Sequence, residues 1–332
     1  MKISVIIPVY NVEAYLERCL LSVLTQDITP HSLEVIAIID GATDQSGAIV
    51  ASFAEKYTSL KVITQENSGV SVARNKGLAQ ATGAIVTFVD SDDYLEHNAL
   101  LSVVDYFIQN DLDVLYAHIQ AVDEQYQKVD LDYKVGIEGV VANGFQHQRR
   151  TFPPTFYRRA LIGDIHFTPG ITVGEDTVFN AKVHALAQRC SYFDQPYYNY
   201  LLRANSATKT IRSEKAFCGF LLAIEELQAF KMEFFSSHHE AKTYFDQQIA
   251  LFLDRIAFNH LLPNLNKNYF DTTVQLCQKY NLQYLLKDLS SKYKGLDQGY
   301  TTFKRIQQYY RLRQRFISMA WRCKQFFFAK KS

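Results

Sequence analysis

The chain has no Cys-x-x-Cys pair, no apolar run near the roughly eighteen residues a membrane-spanning helix needs, and no glycine-rich turn after its first strand. Its five cysteines (Cys19, Cys190, Cys218, Cys277, Cys323) are odd in number and widely spaced, which supports neither a disulfide framework nor a zinc site and implies a reducing compartment. A large charge of one sign is also missing. The formal net charge of +1 over 332 residues argues against a whole-protein nucleic-acid footprint. Lys2 followed by Ile3 to Val9 begins like an export signal, but Pro8, Asn11 and Glu13 close the apolar run and no small-residue cleavage site follows. These absences predict a cytoplasmic protein, free or attached to a membrane surface.

What is present is a hydrophobic content of 48%, enough for a substantial core. Strands are predicted over Ile3–Tyr10, Leu33–Ile39, Leu60–Thr64 and Ile85–Val89, with Pro8 forcing the first into a loop. Helical spacing fills the intervals. Asn11 is placed to cap a helix whose apolar face is Val12, Tyr15, Leu16, Cys19, Leu20, Val23 and Leu24; Asp44 or Thr43 caps the next, and small residues dominate 70–81. Alternating strands and helices predict an α/β fold with a mainly parallel sheet.

Acids stand at the strand ends. Asp40 closes the second strand, and Asp90, Asp92 and Asp93 close the fourth, on the edge where open α/β sheets bind ligands. Carboxylates there suit a cation and an anion for it to hold. Since Pro8-Val9-Tyr10-Asn11 offers no glycine for close backbone approach, a nucleotide diphosphate would need such a cation for charge neutralisation. Arg74, on the small-residue helix, suits either a ligand pyrophosphate or the acidic cluster itself.

Ser4-Val-Ile-Ile-Pro-Val-Tyr-Asn11, Asp40-Gly-Ala-Thr-Asp44, Asn67-Ser-Gly-Val-Ser-Val-Ala-Arg-Asn-Lys-Gly77 and Phe88-Val-Asp-Ser-Asp-Asp93, in this order and spacing, resemble the family 2 glycosyltransferases of bacterial polysaccharide synthesis. The resemblance is strong over residues 3–110 and weaker to about 210. It implies a GT-A fold, a nucleotide-sugar donor (UDP-linked hexose or N-acetylhexosamine), Mn²⁺ or Mg²⁺, and inversion at the anomeric carbon. Carried over by residue, it implies that Pro8, Val9 and Tyr10 line the uridine pocket, that Asp40 accepts the uracil N–H, and that Arg74 lies near the donor. Asp90-Ser91-Asp92 would be the Asp-x-Asp motif, with Asp92 and then Asp90 as metal ligands and Asp93 beside them. The family commonly has two adjacent acids where this chain has Ile39-Asp40.

Phe152-Pro-Pro-Thr-Phe-Tyr-Arg-Arg-Ala-Leu-Ile162 resembles the acceptor side, and Glu175-Asp176 opens a helix where the family places its general base. A hydroxyl attacking an anomeric carbon gains from a carboxylate that takes its proton, so Asp176, then Glu175, is the expected base; helix capping is the alternative role for the pair. Tyr197 to Ser206 resembles the segment closing the catalytic domain, with Arg203 near the donor phosphates. Three regions are therefore expected: a catalytic domain over 1–210 (donor half 1–110, acceptor half 111–210), a helical region over 211–300, and a tail over 301–332. Phe217, Phe220, Leu221, Ile224, Leu227 and Phe230 mark one helical apolar face, and Ile249, Leu251, Phe252, Ile256 and Phe258 another.

The tail has nine lysines and arginines, no acid, and interleaved aromatics, which suits an anionic membrane surface more than nucleic acid or packing on its own domain. The whole predicts transfer of a sugar to a saccharide acceptor, lipid-linked, at the inner face of the cell membrane, in capsule, exopolysaccharide or lipopolysaccharide synthesis. A sugar-phosphate nucleotidyltransferase and a non-catalytic membrane-surface binding protein are the alternatives.

Overall fold

The computed structural model describes residues 1–130, 154–203, 211–235 and 239–311. Its first half alternates as expected: β1 (Lys2–Val9), α1 (Glu13–Leu24), β2 (Ser32–Asp40), α2 (Ser46–Ala54), β3 (Leu60–Gln65), α3 (Val70–Gln80) and β4 (Ile85–Phe88). Then follow β5 (Tyr94–Leu95), α4 (Leu100–Gln109), β6 (Val114–Val122), β7 (Lys128–Val129), β8 (Thr155–Arg158), α5 (Arg159–Ile162), α6 (Glu175–Leu186) and β9 (Cys190–Leu201).

The sheet runs β3-β2-β1-β4-β8-β6-β9-β5, with β7 paired to β6. Parallel pairing holds for β1 with β2 and β4, for β2 with β3, and for β6 with β9; the pairings of β8, β5 and β7 are antiparallel. The expected parallel sheet is thus the donor half, and the acceptor half is mixed. Helices cover both faces, so β1 and β2 are apolar almost throughout rather than alternating. Ile3, Val5, Ile7 and Val9 pack on one side with the buried face of α1, and Ile6 packs on the other beneath α3.

Two local expectations change. Pro8 does not end β1: pairing with β2 continues through Val9 opposite Ile39, while the β4 ladder stops at Ile6 opposite Phe88. Ile6 directs its carbonyl to Val89, so Pro8, two residues on, turns its missing N–H to the β4 side, where no ladder bond is needed. Nor does Asn11 cap α1. It sits at φ +49°, and its Oδ1 accepts the Thr43 N–H at 2.8 Å. The Val12 and Glu13 N–H groups donate to Ser46 Oγ and Asp44 Oδ2, both at 3.0 Å, and Asp44 Oδ1 accepts the Ser46 N–H, so Asp44 serves two helix starts.

The helical region comprises α7 (Glu214–Phe235), α8 (His239–Ile256) continued by a π-turn over Ala257–Leu261 and by α9 (Leu262–Asn264), α10 (Lys267–Lys279) and α11 (Gln283–Leu289), with a last helix over 300–311. The apolar face read for α7 is its buried face, apart from the partly buried Leu221. On α8, Ile249, Phe252 and Ile256 are buried, but Phe258 lies in the π-turn beyond it, where the winding changes, and is 55% exposed.

This region is not separate from the sheet domain. Val178, Ala181 and Ala185 of α6 pack on α7 and α8, while Phe179 and Val183 of the same helix pack on the sheet. Helix α6 is buried on most sides, its polar Lys182 and His184 included, because it is enclosed by both. Within the tail, residues 301–311 are a helix docked on the core by Phe303, which lies 5.3 Å from Phe270. Packing on its own domain, not a free membrane segment, describes that part; 312–332 lie outside the described residues, as do 204–206 and Phe152-Pro153. No helix among the described residues is long and apolar enough to cross a membrane.

Candidate active site

The C-terminal ends of β1, β2 and β4 open on a cavity of about 500 Å³. Pro8, Val9 and Tyr10, Asp40, Arg74, Asp90, Ser91 and Asp92 line it, and so do Glu175 and Asp176 from across the cleft. The sequence therefore named both walls. Asp93 is the exception.

Asp93 turns away from the cavity and is buried: its carboxylate accepts the Tyr198 hydroxyl and the Leu201 N–H, both at 2.8 Å, tying the acidic turn to β9. Burial, reinforced by the charges of Asp92 and Asp90, pushes its pKa well above the usual carboxylate range. The rest of the turn is fixed by its backbone. Tyr198 Oη accepts the Asp90 N–H at 3.1 Å, and the buried Cys19 thiol faces the Asp90 carbonyl at 3.6 Å.

Arg74 joins the walls. Its guanidinium donates to Asp90 Oδ1 at 2.9 Å and to Glu175 Oε1 at 2.8 Å, and is itself buried. Burial opposes its charge, but Asp90 and Glu175 outweigh that and hold it above its ordinary value. Of the two roles open to Arg74, it thus makes the contact with the acids. Asn75, next on α3, exchanges hydrogen bonds with the Phe167 backbone at 2.7 and 2.8 Å and pins the loop leading to α6.

Asp40 is occupied as well. Oδ1 accepts from Gln65 Nε2 and the Ser68 N–H, and Oδ2 from the Gly69 N–H, all within 2.9 Å. One lone pair on Oδ2 is left for a ligand. Arg203 pairs with Asp92 and lies 5.1 Å from the Tyr15 ring.

At α6, Gly174 adopts φ +89°, and a Cβ there would lie 2.7 Å from Arg255 Nη1 and 2.9 Å from Phe252, so only glycine fits this turn. It delivers Glu175 and Asp176 in the first helical turn, where the helix dipole favours negative charge. Glu175 is buried against Arg74; burial and then the neighbouring Asp176 raise its pKa while Arg74 opposes them. Asp176 is half-buried. Its Oδ1 accepts from the Thr177 N–H at 2.6 Å, and Oδ2 has no partner among the described contacts. Of the two acids, Asp176 is the one that keeps a carboxylate oxygen open to the cleft.

Five carboxylates (Asp40, Asp90, Asp92, Glu175, Asp176) and two guanidiniums (Arg74, Arg203) thus line one cavity. The excess is felt at Asp92, whose pKa is raised by burial and by Asp90 against the pull of Arg203. No cluster of three or more potential ligand side chains forms among the described residues. A hard cation held by Asp90 and Asp92 would therefore draw its remaining oxygens from phosphates and water, a donor set that fits Mg²⁺ or Mn²⁺.

The sequence profile of glycosyl transferase family 2 matches residues 4–173, which run from β1 through the acidic turn to the loop before α6. The chain belongs to this family. Among family 2 relatives, GlyA of Streptococcus pneumoniae, a glycosyltransferase, is 35% identical over 63% of this chain and 32% of its own length. EpsJ of Bacillus subtilis, an uncharacterized glycosyltransferase, is 31% identical over 62% of this chain and 63% of its own. The chain spans between a third and two thirds of these relatives. The crystal structure of Staphylococcus aureus TarS residues 1–349 with UDP-GlcNAc superposes with a TM-score of 0.72 at 26% identity, covering 93% of this chain and 92% of that one, so the GT-A fold extends to this member.

Residues Thr172, Val173 and Tyr200 also line the cleft and were not singled out in the sequence. Tyr200 had a signal: two residues from Tyr198 on one strand, it faces the same side. Thr172 and Val173 had none, being ordinary loop residues ahead of Gly174. His184 and His166 are not part of the cleft: His184 bonds to the Tyr116 hydroxyl at 2.9 Å, and His166 approaches the Asp164 carbonyl at 3.2 Å.

Proposed function

We propose that this chain transfers a sugar, with inversion, from a UDP-linked hexose or N-acetylhexosamine to a saccharide acceptor in bacterial surface-polysaccharide synthesis. The observation that carries the reading is the pairing of walls: Asp90 and Asp92 on one side of the cavity, Asp176 on the other. UDP-GlcNAc bound to TarS supports the donor class, and the TarS name, a poly(ribitol-phosphate) β-N-acetylglucosaminyltransferase, supports a surface-polymer acceptor.

Pro8, Val9 and Tyr10 hold the base of the donor, with the free lone pair of Asp40 for its N–H. Arg74 holds Asp90 and Glu175 in place and opposes the rise that burial and Asp176 impose on the Glu175 pKa. Asp90 and Asp92 would hold Mg²⁺ or Mn²⁺, which when bound supplies neutralisation of the diphosphate charge. Asp176 takes the proton from the acceptor hydroxyl as it attacks, giving inversion by direct displacement. The acceptor is lipid-linked in this reading, and of the basic, aromatic tail it is the part after residue 311 that keeps the enzyme on the cytoplasmic membrane face.

Turnover of UDP-GlcNAc and other nucleotide sugars with and without Mn²⁺, in the native chain and in Asp92→Ala, tests the reading. Metal-dependent release of UDP that vanishes in the variant is expected. Turnover equal in the two proteins, or none with any donor, would sink it. Liposome flotation of the intact chain and of one ending at residue 311 tests the membrane part, which fails if both float alike.

A further inference from the structure

We propose that a second pocket, in the helical region and outside the catalytic cleft, binds the phosphate group of a small phosphorylated polyol. The pocket is a cavity of about 720 Å³ between α11, the turn that follows it and the 300–311 helix. Lys287 enters from α11, Lys294 from the turn and Arg305 from the helix. Among the described residues none of these three cations has a carboxylate partner within ion-pair distance. The acid in the lining, Asp297, already accepts the Ser290 hydroxyl at 2.6 Å.

The walls are built, not incidental. Gln307 Nε2 donates to the Lys294 carbonyl at 3.0 Å, binding turn to helix. Gly295, at φ +84°, lets the turn lie so close that a Cβ would come within 2.8 Å of Ile306 Cδ1. Phe303 anchors the same helix in the core. Cations on three separately fixed segments therefore converge on one space, where their mutual repulsion is relieved by an anion of more than one charge.

A phosphate ester meets that need, with the hydroxyls of Tyr309 and Tyr310 as further donors. The space exceeds a bare phosphate. Tyr309, 63% exposed, and Tyr310 line the remainder and add apolar surface for the C–H-rich backbone of a polyol. The ester has two sources of the same chemistry, a soluble glycerol-phosphate-like unit or the headgroup of a glycerophospholipid.

Calorimetric titration of the full chain with glycerol 1-phosphate, with glycerol as blank, reads the site directly and does not depend on the catalytic cleft. Three proteins are compared: the native chain; Lys287→Ala/Lys294→Ala/Arg305→Ala; and a charge-matched control, Lys215→Ala/Lys242→Ala/Lys304→Ala, exposed outside the pocket. All six positions are surface side chains, and a matched circular-dichroism melt checks the fold. Saturable binding that the pocket variant weakens about ten-fold or more, and the control spares, is expected. Co-sedimentation with phosphatidylglycerol against phosphatidylcholine vesicles then separates the sources. Recruitment that falls with the pocket variant puts the phosphate on a lipid, and recruitment equal to native puts it on a soluble ester. Absence of saturable binding, or equal weakening by both variants, overturns the proposal.

Discussion

Replacing Arg74 by alanine tests the arrangement of the cleft through stability, without an activity assay. The Arg74 side chain is 5% exposed and pairs with Glu175, whose side chain is 11% exposed, as well as with Asp90 at 37%. Removing one partner of a buried pair costs about 3–5 kcal/mol because the other charge stays buried alone. Asp90, open to water, is rescreened and contributes little to that figure. Glu175 cannot be rescreened, so it takes up a proton instead. Its pKa in the folded native chain is already raised by burial and Asp176; without Arg74 it rises further. The sign follows. A carboxyl whose folded pKa exceeds its unfolded value contributes stability that is fully present below the ordinary value of 4.5 and is lost as pH rises through the folded value. The deficit of Arg74→Ala against the native chain should be small near pH 4 and grow to about 3–5 kcal/mol by pH 8. Urea unfolding followed by circular dichroism across that range measures it. A deficit that does not change with pH, or one below about 1 kcal/mol at pH 8, would show that Arg74 does not offset the burial of the Glu175 charge.

The remaining predictions concern the base, a buried acid and a close contact. Asp176→Asn should lower transfer about 10²–10⁴-fold while leaving nucleotide binding, read by thermal shift, close to native. Glu34 is buried and accepts from Lys2, Lys61, Ser4 and the Thr82 N–H; burial opposes its charge, yet these bonds outweigh it and hold its pKa well below the ordinary 4.5. Since both lysines are about half exposed, Glu34→Gln should cost about 1–2 kcal/mol at pH 7. A depressed folded pKa contributes stability present above 4.5 and lost as pH falls toward the folded value, so native and variant urea midpoints should converge on acidification. Gly77→Ala would put a Cβ 2.4 Å from Ile6 Cγ2 and 2.9 Å from Ile38 Cδ1, prying α3 from the sheet. A loss of about 1–3 kcal/mol in urea unfolding is expected, and a neutral result would mean that α3 does not lie so close.

What the sequence made legible is what local patterns carry. Apolar runs closed by acids locate β2, β4 and the edge bearing Asp40, Asp90 and Asp92, and helical spacing locates the buried faces of α1 and α7. What it hid is set by partners far along the chain. Asp93 looked like a fourth acid of the site because its neighbours are in the site; it is the Tyr198 hydroxyl and Leu201 N–H, more than 100 residues later, that draw it inward. Arg74 was recognised as an anion binder, but nothing near it in sequence says that one of its anions is Glu175, 101 residues away. That pair changes the meaning of Glu175-Asp176. Two adjacent acids at a helix start read alike in sequence, yet the fold buries the first against a guanidinium and leaves the second facing the cleft. The same guanidinium holds Asp90 on the opposite wall, so the acidic turn after β4 and the start of α6 are set by one side chain. A change at Arg74 should therefore disturb donor binding and proton transfer together, whereas changes at Asp92 or Asp176 should separate them.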